Sequence, residues 1–182
     1  TENDGTYESL ANQDYANKAH SLGLQVWAVL DNFNRGTNVQ SEILFASTAA
    51  RKKLITSLIA DVEKYGIDGI NLDFELISEE CGEHYIQFVR ELSVKCRQNG
   101  LVFSVDNYVP QPYNGHYSLE EQGVMADYVV IMAYDEHTEG SYEAGSVASY
   151  GYVEQGIKDA LKSVPKEKVV IGVPLYTRLW FE

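Results

Sequence analysis

The residues best suited to do chemistry in this sequence lie between Asp68 and Glu75, in the stretch DGINLDFE. Read as a β-strand, the stretch alternates with a period of two, so Asn71, Asp73 and Glu75 share one face. A buried carboxylate without a partner is costly, and stability alone would not place two acids there. The pattern favours a strand whose polar face lines a cavity, and an edge strand with one wet face is the alternative.

Asp73 and Glu75 are two residues apart, which places their Cα atoms roughly 6.7 Å apart on a strand. Two carboxylates on one face push their pKa values apart, so that one stays ionised while the other can hold a proton near neutrality. That division of labour is typical of a glycosidase. A divalent metal held by these acids with His137 is the chemical rival, but no His-x-His or HExxH spacing supports it, and we expect no metal.

The elements that position these acids alternate along the chain. Mostly apolar runs predict strands at 24–30, 68–75, 101–106, 127–133 and 169–175, and helical segments separate them, which predicts an α/β fold with a parallel sheet. Trp27 lies in the first run among apolar neighbours and is expected in the core. Parallel sheets place their sites after the carboxyl ends of the strands. Polar and aromatic residues gather at those points: Asp31, Asn32, Glu75, Asn107, Tyr108, Tyr134, Asp135 and Tyr176.

Composition and net charge limit the number of domains and the kinds of partner that fit this chain. The 182 residues are 45% hydrophobic, which fits a single domain over 1–182. A net charge of −13 argues against a nucleic-acid partner, and the absence of an apolar run of transmembrane length argues against membrane insertion. Thr1 opens no signal peptide, as expected of a secreted protein after processing or of an excised domain.

Several segments together resemble glycoside hydrolase family 18, the chitinase-like family. DGINLDFE resembles its DGxDxDxE signature, and four other stretches are similar, in order, to its third, fifth, sixth and seventh barrel strands: LQVWAVL, LVFSVD, DYVVIMAYDEH and EKVVIGVPLYTRLW. The YDEH and VASYGYVEQ stretches are most similar to the bacterial spore-cortex and peptidoglycan branch, whose members are N-acetylglucosaminidases. The resemblance implies a TIM (β/α)8 barrel, here a partial one comprising about strands 3 to 7, in a single partial catalytic domain.

The resemblance also implies roles for individual residues. Glu75 would be the general acid, Asp73 would orient the substrate acetamide, and Tyr134 would hydrogen-bond the acetamide carbonyl. That carbonyl, rather than a protein side chain, would attack the anomeric carbon, with retention of configuration and no cofactor. Further sugar contacts are expected from residues beside the acids or after strand ends: Asn71, Asp135, Asn32, Asn107, Tyr108, Tyr176 and Arg178. For Tyr176 and Arg178, a salt bridge or packing at the rim is an equal alternative.

The expected partner is therefore an N-acetylated glycan, and the expected location is extracellular, in the cell envelope or on the spore. Two readings compete with an active hydrolase: a non-catalytic carbohydrate-binding member, and an inactive fragment of the enzyme. Non-catalytic members typically lack the acid that corresponds to Glu75, which is present here.

The sequence departs from the family pattern at several points. Asn71 replaces the middle aspartate of the signature; its amide can donate to Asp73 but cannot share a proton with it, which predicts a simpler coupling between Asp73 and Glu75. Thr177 replaces the glycine after Tyr176. The third strand ends in LDNF rather than S-x-G-G, which points away from typical chitinases.

A complete barrel takes about 250 residues, and the first, second and eighth strands are not identifiable here. An open sheet would expose edge strands at 24–30 and 169–175, and exposed edges invite pairing with another chain. The sequence therefore predicts a homodimer or aggregation through these edges.

Overall fold

The computed structural model describes residues 1–33 and 40–181. Its core is a parallel five-stranded sheet in which the strands follow one another in sequence order. The strands are β1 (Trp27–Asp31), β2 (Gly69–Asp73), β3 (Val102–Tyr108), β4 (Tyr128–Met132) and β5 (Val169–Gly172). Within the described residues β1 and β5 each pair with one neighbour only, so the sheet is open. The predicted α/β fold with a parallel sheet is confirmed.

Helices connect the strands and cover one face of the sheet. They are α1 (Gln13–Ser21), α2 (Ser41–Ala46), α3 (Thr48–Tyr65), α4 (Gly82–Gln98), α5 (Leu119–Met125) and α6 (Tyr150–Ala160), with short 3-10 helices at Glu79–Cys81, Pro112–Tyr117 and Lys166–Lys168. The sequence also predicts a polar loop at 31–36 after the first strand, and residues 34–36 of it lie outside the described residues. No helix in 1–33 or 40–181 is long and apolar enough to cross a membrane.

Local sequence explains the ends of α3, the longest helix. Ser47 caps its start by accepting a hydrogen bond from Ala50 N at 3.2 Å. Gly66 ends it in the left-handed region at φ +64°, where a residue without Cβ is favoured. Only Ile67 and Asp68 separate Gly66 from β2, so the strand that carries Asp73 begins directly after α3.

The outer face of the sheet forms the core with the helices. Ile70, Leu72 and Phe74 are buried on this face, where Phe74 meets the ring of Phe45 at 5.1 Å and that of Phe88 at 6.1 Å. This burial fixes the register of β2, because a slip by one residue would turn the acids into the core. The opposite, concave face is thereby left for the polar residues.

The foot of the concave face is aromatic. Trp27 stacks on Tyr128 with ring centroids 5.6 Å apart, and Gly69 lies between their strands. A Cβ at Gly69 would be 2.8 Å from both Trp27 Cδ1 and Val102 O, so only glycine leaves room for the indole. The expectation that Trp27 belongs to the core is wrong, because its position in β1 points it to the concave face, where it is 37% exposed.

Candidate active site

Glu75 follows the end of β2, and a neighbouring loop holds its backbone on both sides. Asn32, which follows β1, donates from Nδ2 to Glu75 O at 2.7 Å and accepts from Glu75 N at 3.0 Å. The next residue, Leu76, has a φ of +54°, so the chain turns sharply after the acid. Asn32 was predicted to contact sugar. In the structure its amide instead forms both hydrogen bonds with the backbone of Glu75 and so positions that residue.

Tyr108, the last residue of β3, reaches the side chain of Glu75. Burial raises the pKa of Tyr108 well above its usual range, and the neighbouring Glu75 carboxylate raises it further. Its hydroxyl also accepts from Leu76 N at 3.3 Å. The ring meets Tyr117 edge-on at 5.9 Å, and Tyr117 in turn accepts from Ile77 N at 2.9 Å. Two phenols therefore fix the turn that carries the acid.

Asp73 ends β2 and lies among other acids. Burial, and after it the charges of Asp106, Glu75 and Asp31 in that order, raise its pKa to about 6. Its Oδ1 atom is buried and accepts no hydrogen bond from any residue that the structure describes. An aspartate in this setting can carry a proton near neutrality, which is the behaviour expected of one member of an acid pair.

Asp106 also belongs to the site, although it was not predicted from the sequence. It lies on the concave face of β3, where its Oδ1 accepts from Asn71 Nδ2 at 2.8 Å; the same amide reaches Ser104 Oγ at 2.9 Å. The Asn71 amide is thus directed at Asp106 and Ser104 and not at Asp73, and Asp106 adds a carboxyl group beside Asp73 and Glu75. The alternation of Ser104, Asp106 and Tyr108 in the sequence could have revealed it.

Asn107 points the other way. It is 3% exposed and forms a reciprocal pair with Gln122 of α5, with N···O distances of 2.6 and 3.0 Å. The prediction that Asn107 contacts substrate is wrong. β3 continues beyond the predicted end at residue 106, and the extra residues turn Asn107 towards the helices.

Tyr134 lies beyond the end of β4 and faces the carboxyl cluster. Burial raises its pKa to about 12, with further contributions from Asp106, Asp73 and Glu75. Gly172 at the end of β5 makes room for it, since a Cβ there would be 3.3 Å from the Tyr134 ring. The phenol therefore lies near the acids of the site.

Asp135, Tyr176 and Arg178 form a linked group at the rim. Asp135 Oδ1 accepts from Tyr176 Oη at 2.5 Å and from Arg178 Nη1 at 2.7 Å, and these two hydrogen bonds lower its pKa. Arg178 also donates to His137 O at 3.0 Å. The rim salt bridge expected as an alternative role is present between Arg178 and Asp135, and Tyr176 adds a hydrogen bond to the same carboxylate. These contacts join the loops after β4 and β5.

Metal ligation is not supported by the described residues, in which no group of three or more His, Cys, Asp or Glu side chains is arranged to hold an ion. His137, the candidate third ligand, has its Nδ1 3.0 Å from Ser146 O instead. The cluster consists of carboxyls and phenols on one face, a composition suited to proton transfer and to stabilising positive charge.

Comparisons with known proteins identify a family model, relatives and solved structures that are similar to this chain. The model of the glycosyl hydrolases family 18 matches residues 9–182. The chain is 29% identical over 171 residues to the uncharacterized glycosylase YvbX of Bacillus subtilis, covering 86% of this chain and 48% of that protein. It is 27% identical over 172 residues to the cortical fragment-lytic enzyme of Bacillus anthracis, covering 91% and 39%.

Among solved structures, the spore cortex-lytic enzyme SleL of Bacillus cereus superposes with a TM-score of 0.85 at 25% identity. The match covers 94% of this chain and 41% of that one. The chain therefore spans less than half the length of each of these three proteins.

Proposed function

Because the chain belongs to the glycosyl hydrolases family 18, we propose that it hydrolyses β-linked N-acetylglucosamine in peptidoglycan or a chitin-like glycan, with Glu75 as general acid. The observation that carries the proposal is the placement of Glu75. Its backbone is held by Asn32, Tyr108 accepts a hydrogen bond from the next residue, and Glu75 lies near Asp73, whose pKa is raised to about 6. This is the paired-acid arrangement that glycoside hydrolysis uses.

In the proposed first step, the carbonyl oxygen of the substrate's 2-acetamido group attacks the anomeric carbon while the glycosidic C–O bond breaks. Glu75 gives its proton to the departing oxygen, and the sugar becomes an oxazolinium ion. Asp73 accepts a hydrogen bond from the acetamide N–H and stabilises the positive charge, while Tyr134 donates its O–H to the acetamide carbonyl.

In the second step, water attacks the same carbon and loses a proton to Glu75, which restores the acid and the acetamide. Two displacements at one carbon give net retention of configuration. The mechanism requires an N-acetyl group on the sugar, so glycans without one are not substrates.

Peptidoglycan is the favoured substrate because the relatives include a cortical fragment-lytic enzyme and a spore cortex-lytic enzyme. A spore, cell-envelope or extracellular location follows from the same substrate. A non-catalytic carbohydrate-binding role is less consistent with the retained and firmly held Glu75. The open sheet favours a different alternative, that the 182 residues alone are inactive: Val29, on the concave face, is 61% exposed.

The test is to assay the full-length protein and its Glu75→Gln variant on peptidoglycan and on chitin oligomers. Loss of a general acid should lower kcat by about 10²- to 10⁴-fold while binding persists. Glu80→Gln, at an exposed glutamate in the following 3-10 helix, is the matched control and should retain activity. A wild-type protein that binds these glycans but cleaves neither would refute the proposal.

A further inference from the structure

Asp106 faces Asp73 across the boundary between β2 and β3. The register pairs Leu72 with Val105, so the next positions along the two strands are Asp73 and Asp106, both on the concave face. Neighbouring strands lie about 4.8 Å apart, so their side chains are immediate neighbours. Two carboxyl groups therefore meet at the centre of the site.

The titratable groups around this pair, among the described residues, are all carboxyls or phenols. The titratable groups that interact with Asp73, among the described residues, come from every element packed around it: Asp31 on β1, Glu75 after β2, Asp106 on β3, Tyr85 on α4, Tyr117 at the end of a 3-10 helix and Tyr134 after β4. None of them is a cation. Two adjacent, partly buried carboxylates are unfavourable when both are ionised, so the pair retains a proton at a pH where a free aspartate has lost it.

The hydrogen bonds indicate which member holds that proton. Asn71 donates to Asp106 Oδ1 at 2.8 Å, and an N–H donor stabilises the ionised form of its acceptor. Asp73 Oδ1 is buried and receives no such donor from the described residues. An ionised Asp73 would leave that buried oxygen unsatisfied, which disfavours the ionised form of Asp73 relative to that of Asp106.

We infer that Asp106 is a positioning residue, which together with Asn71 holds a shared proton on Asp73 and so sets the pH below which Asp73 is neutral. Its effect on catalysis rests on the proposed function, because Asp73 must be ionised to stabilise an oxazolinium ion. The pairing itself does not depend on that function. Asp106 acts only through Asp73 and is not assigned a contact with substrate.

The test is a ¹³C NMR titration of the aspartate carboxyls in the full-length protein and in its Asp106→Asn variant. Asparagine keeps an oxygen that can accept from Asn71 but removes the charge. The titration midpoint of Asp73 should fall by about one pH unit. The acid limb of the kcat–pH profile should move to lower pH by a similar amount, with KM at neutral pH little changed. An unchanged Asp73 midpoint would overturn the inference.

Ser104→Ala is the matched control, since it removes the other acceptor of Asn71 without altering charge. Its Asp73 midpoint should stay at the wild-type value, and a shift as large as that of Asp106→Asn would also overturn the inference. If Asp106→Asn does not fold, the wild-type titration decides. A coupled pair shows two shared inflections in both carboxyl resonances, and independent single transitions contradict the pairing. Should the protein cleave no glycan, the proposed function fails, yet the NMR midpoints still decide the pairing.

Discussion

Asp73 destabilises the folded protein at neutral pH. Its folded pKa of about 6 lies above the value near 4 of an unfolded aspartate, so the native state binds more protons between these pH values. The stability associated with this group is therefore fully present below about pH 4 and is lost as the pH rises through about 6. A residue kept at such a cost is more consistent with a role in chemistry than with one in folding.

Asp73→Asn should remove this pH-dependent loss. We expect the free energy of unfolding at pH 7, relative to that at pH 4, to improve by about 1 kcal/mol over wild type, a value reduced because the group is partly solvated. Urea unfolding at the two pH values measures the difference. Asp14→Asn, at an exposed aspartate of α1, is the control. An equal change in stability at both pH values for Asp73→Asn would contradict the argument.

Asn32 should matter to catalysis through the backbone it holds. Asn32→Ala removes both hydrogen bonds to the Glu75 peptide groups, and we expect kcat of the full-length protein to fall by about 10- to 100-fold from misplacement of the acid. The unfolding free energy should fall by about 1–2 kcal/mol. Asn99→Ala, which removes an asparagine bonded to backbone at the end of α4, controls for a general effect on stability. Lower stability with unchanged kcat would limit Asn32 to a structural role.

At the scale of elements, the concave face depends on a close approach between β1, β2 and β3 at Gly69. Gly69→Ala places a methyl group within 2.8 Å of Trp27 Cδ1 and of the Val102 carbonyl oxygen. We expect a loss of about 1–3 kcal/mol in unfolding free energy, since neither strand can move without disturbing the register.

Gly151→Ala is the matched control for this change. Gly151 lies in α6 with no atom near an added Cβ, so alanine there should raise stability by about 0.5–1 kcal/mol. If close packing is the reason that position 69 is a glycine, chemical denaturation should show a lower unfolding free energy for Gly69→Ala and a higher one for Gly151→Ala. Equal effects would indicate that only chain flexibility is involved.

The sequence predicted the strands and the face that carries Asp73 and Glu75, because burial of Ile70, Leu72 and Phe74 leaves a clear alternation. The end of β3 was predicted incorrectly, because the alternation of apolar residues does not mark where this strand ends. Placing the end at Asp106 hid that residue's membership of the polar face and left Asn107 to be read as a loop residue. Contacts between strands, such as that of Asn32 with Glu75, depend on register and carry no local signal.

At the scale of the whole molecule, the chain is an open part of a (β/α)8 barrel, with the site exposed along one side. Val29 on β1 is 61% exposed and Val170 on β5 is 41% exposed, both on the concave face near the two free edges. Such edges favour association with other chains. The net charge of −13 opposes that association through repulsion between chains.

We expect residues 1–182, prepared alone, to self-associate as concentration rises. The double variant Val29→Lys/Val170→Lys should stay monomeric, because charges on the concave edges oppose pairing. Val124→Lys, at a valine of α5 that is 70% exposed, is the control and should behave like wild type. Multi-angle light scattering across a concentration series measures the mass. A monomeric wild-type chain at high concentration would refute the expectation.

The two hydrogen bonds between Asn32 and Glu75 also have a consequence for recombination among related barrels. The acid and the amide that orients it are 43 positions apart, with all of α2 and α3 between them. A graft of β2 alone would transfer the acid and leave its orienting amide behind. The smallest segment that keeps both residues therefore runs from Asn32 to Glu75. A crossover between related barrels preserves their pairing only if it falls before Asn32 or after Glu75.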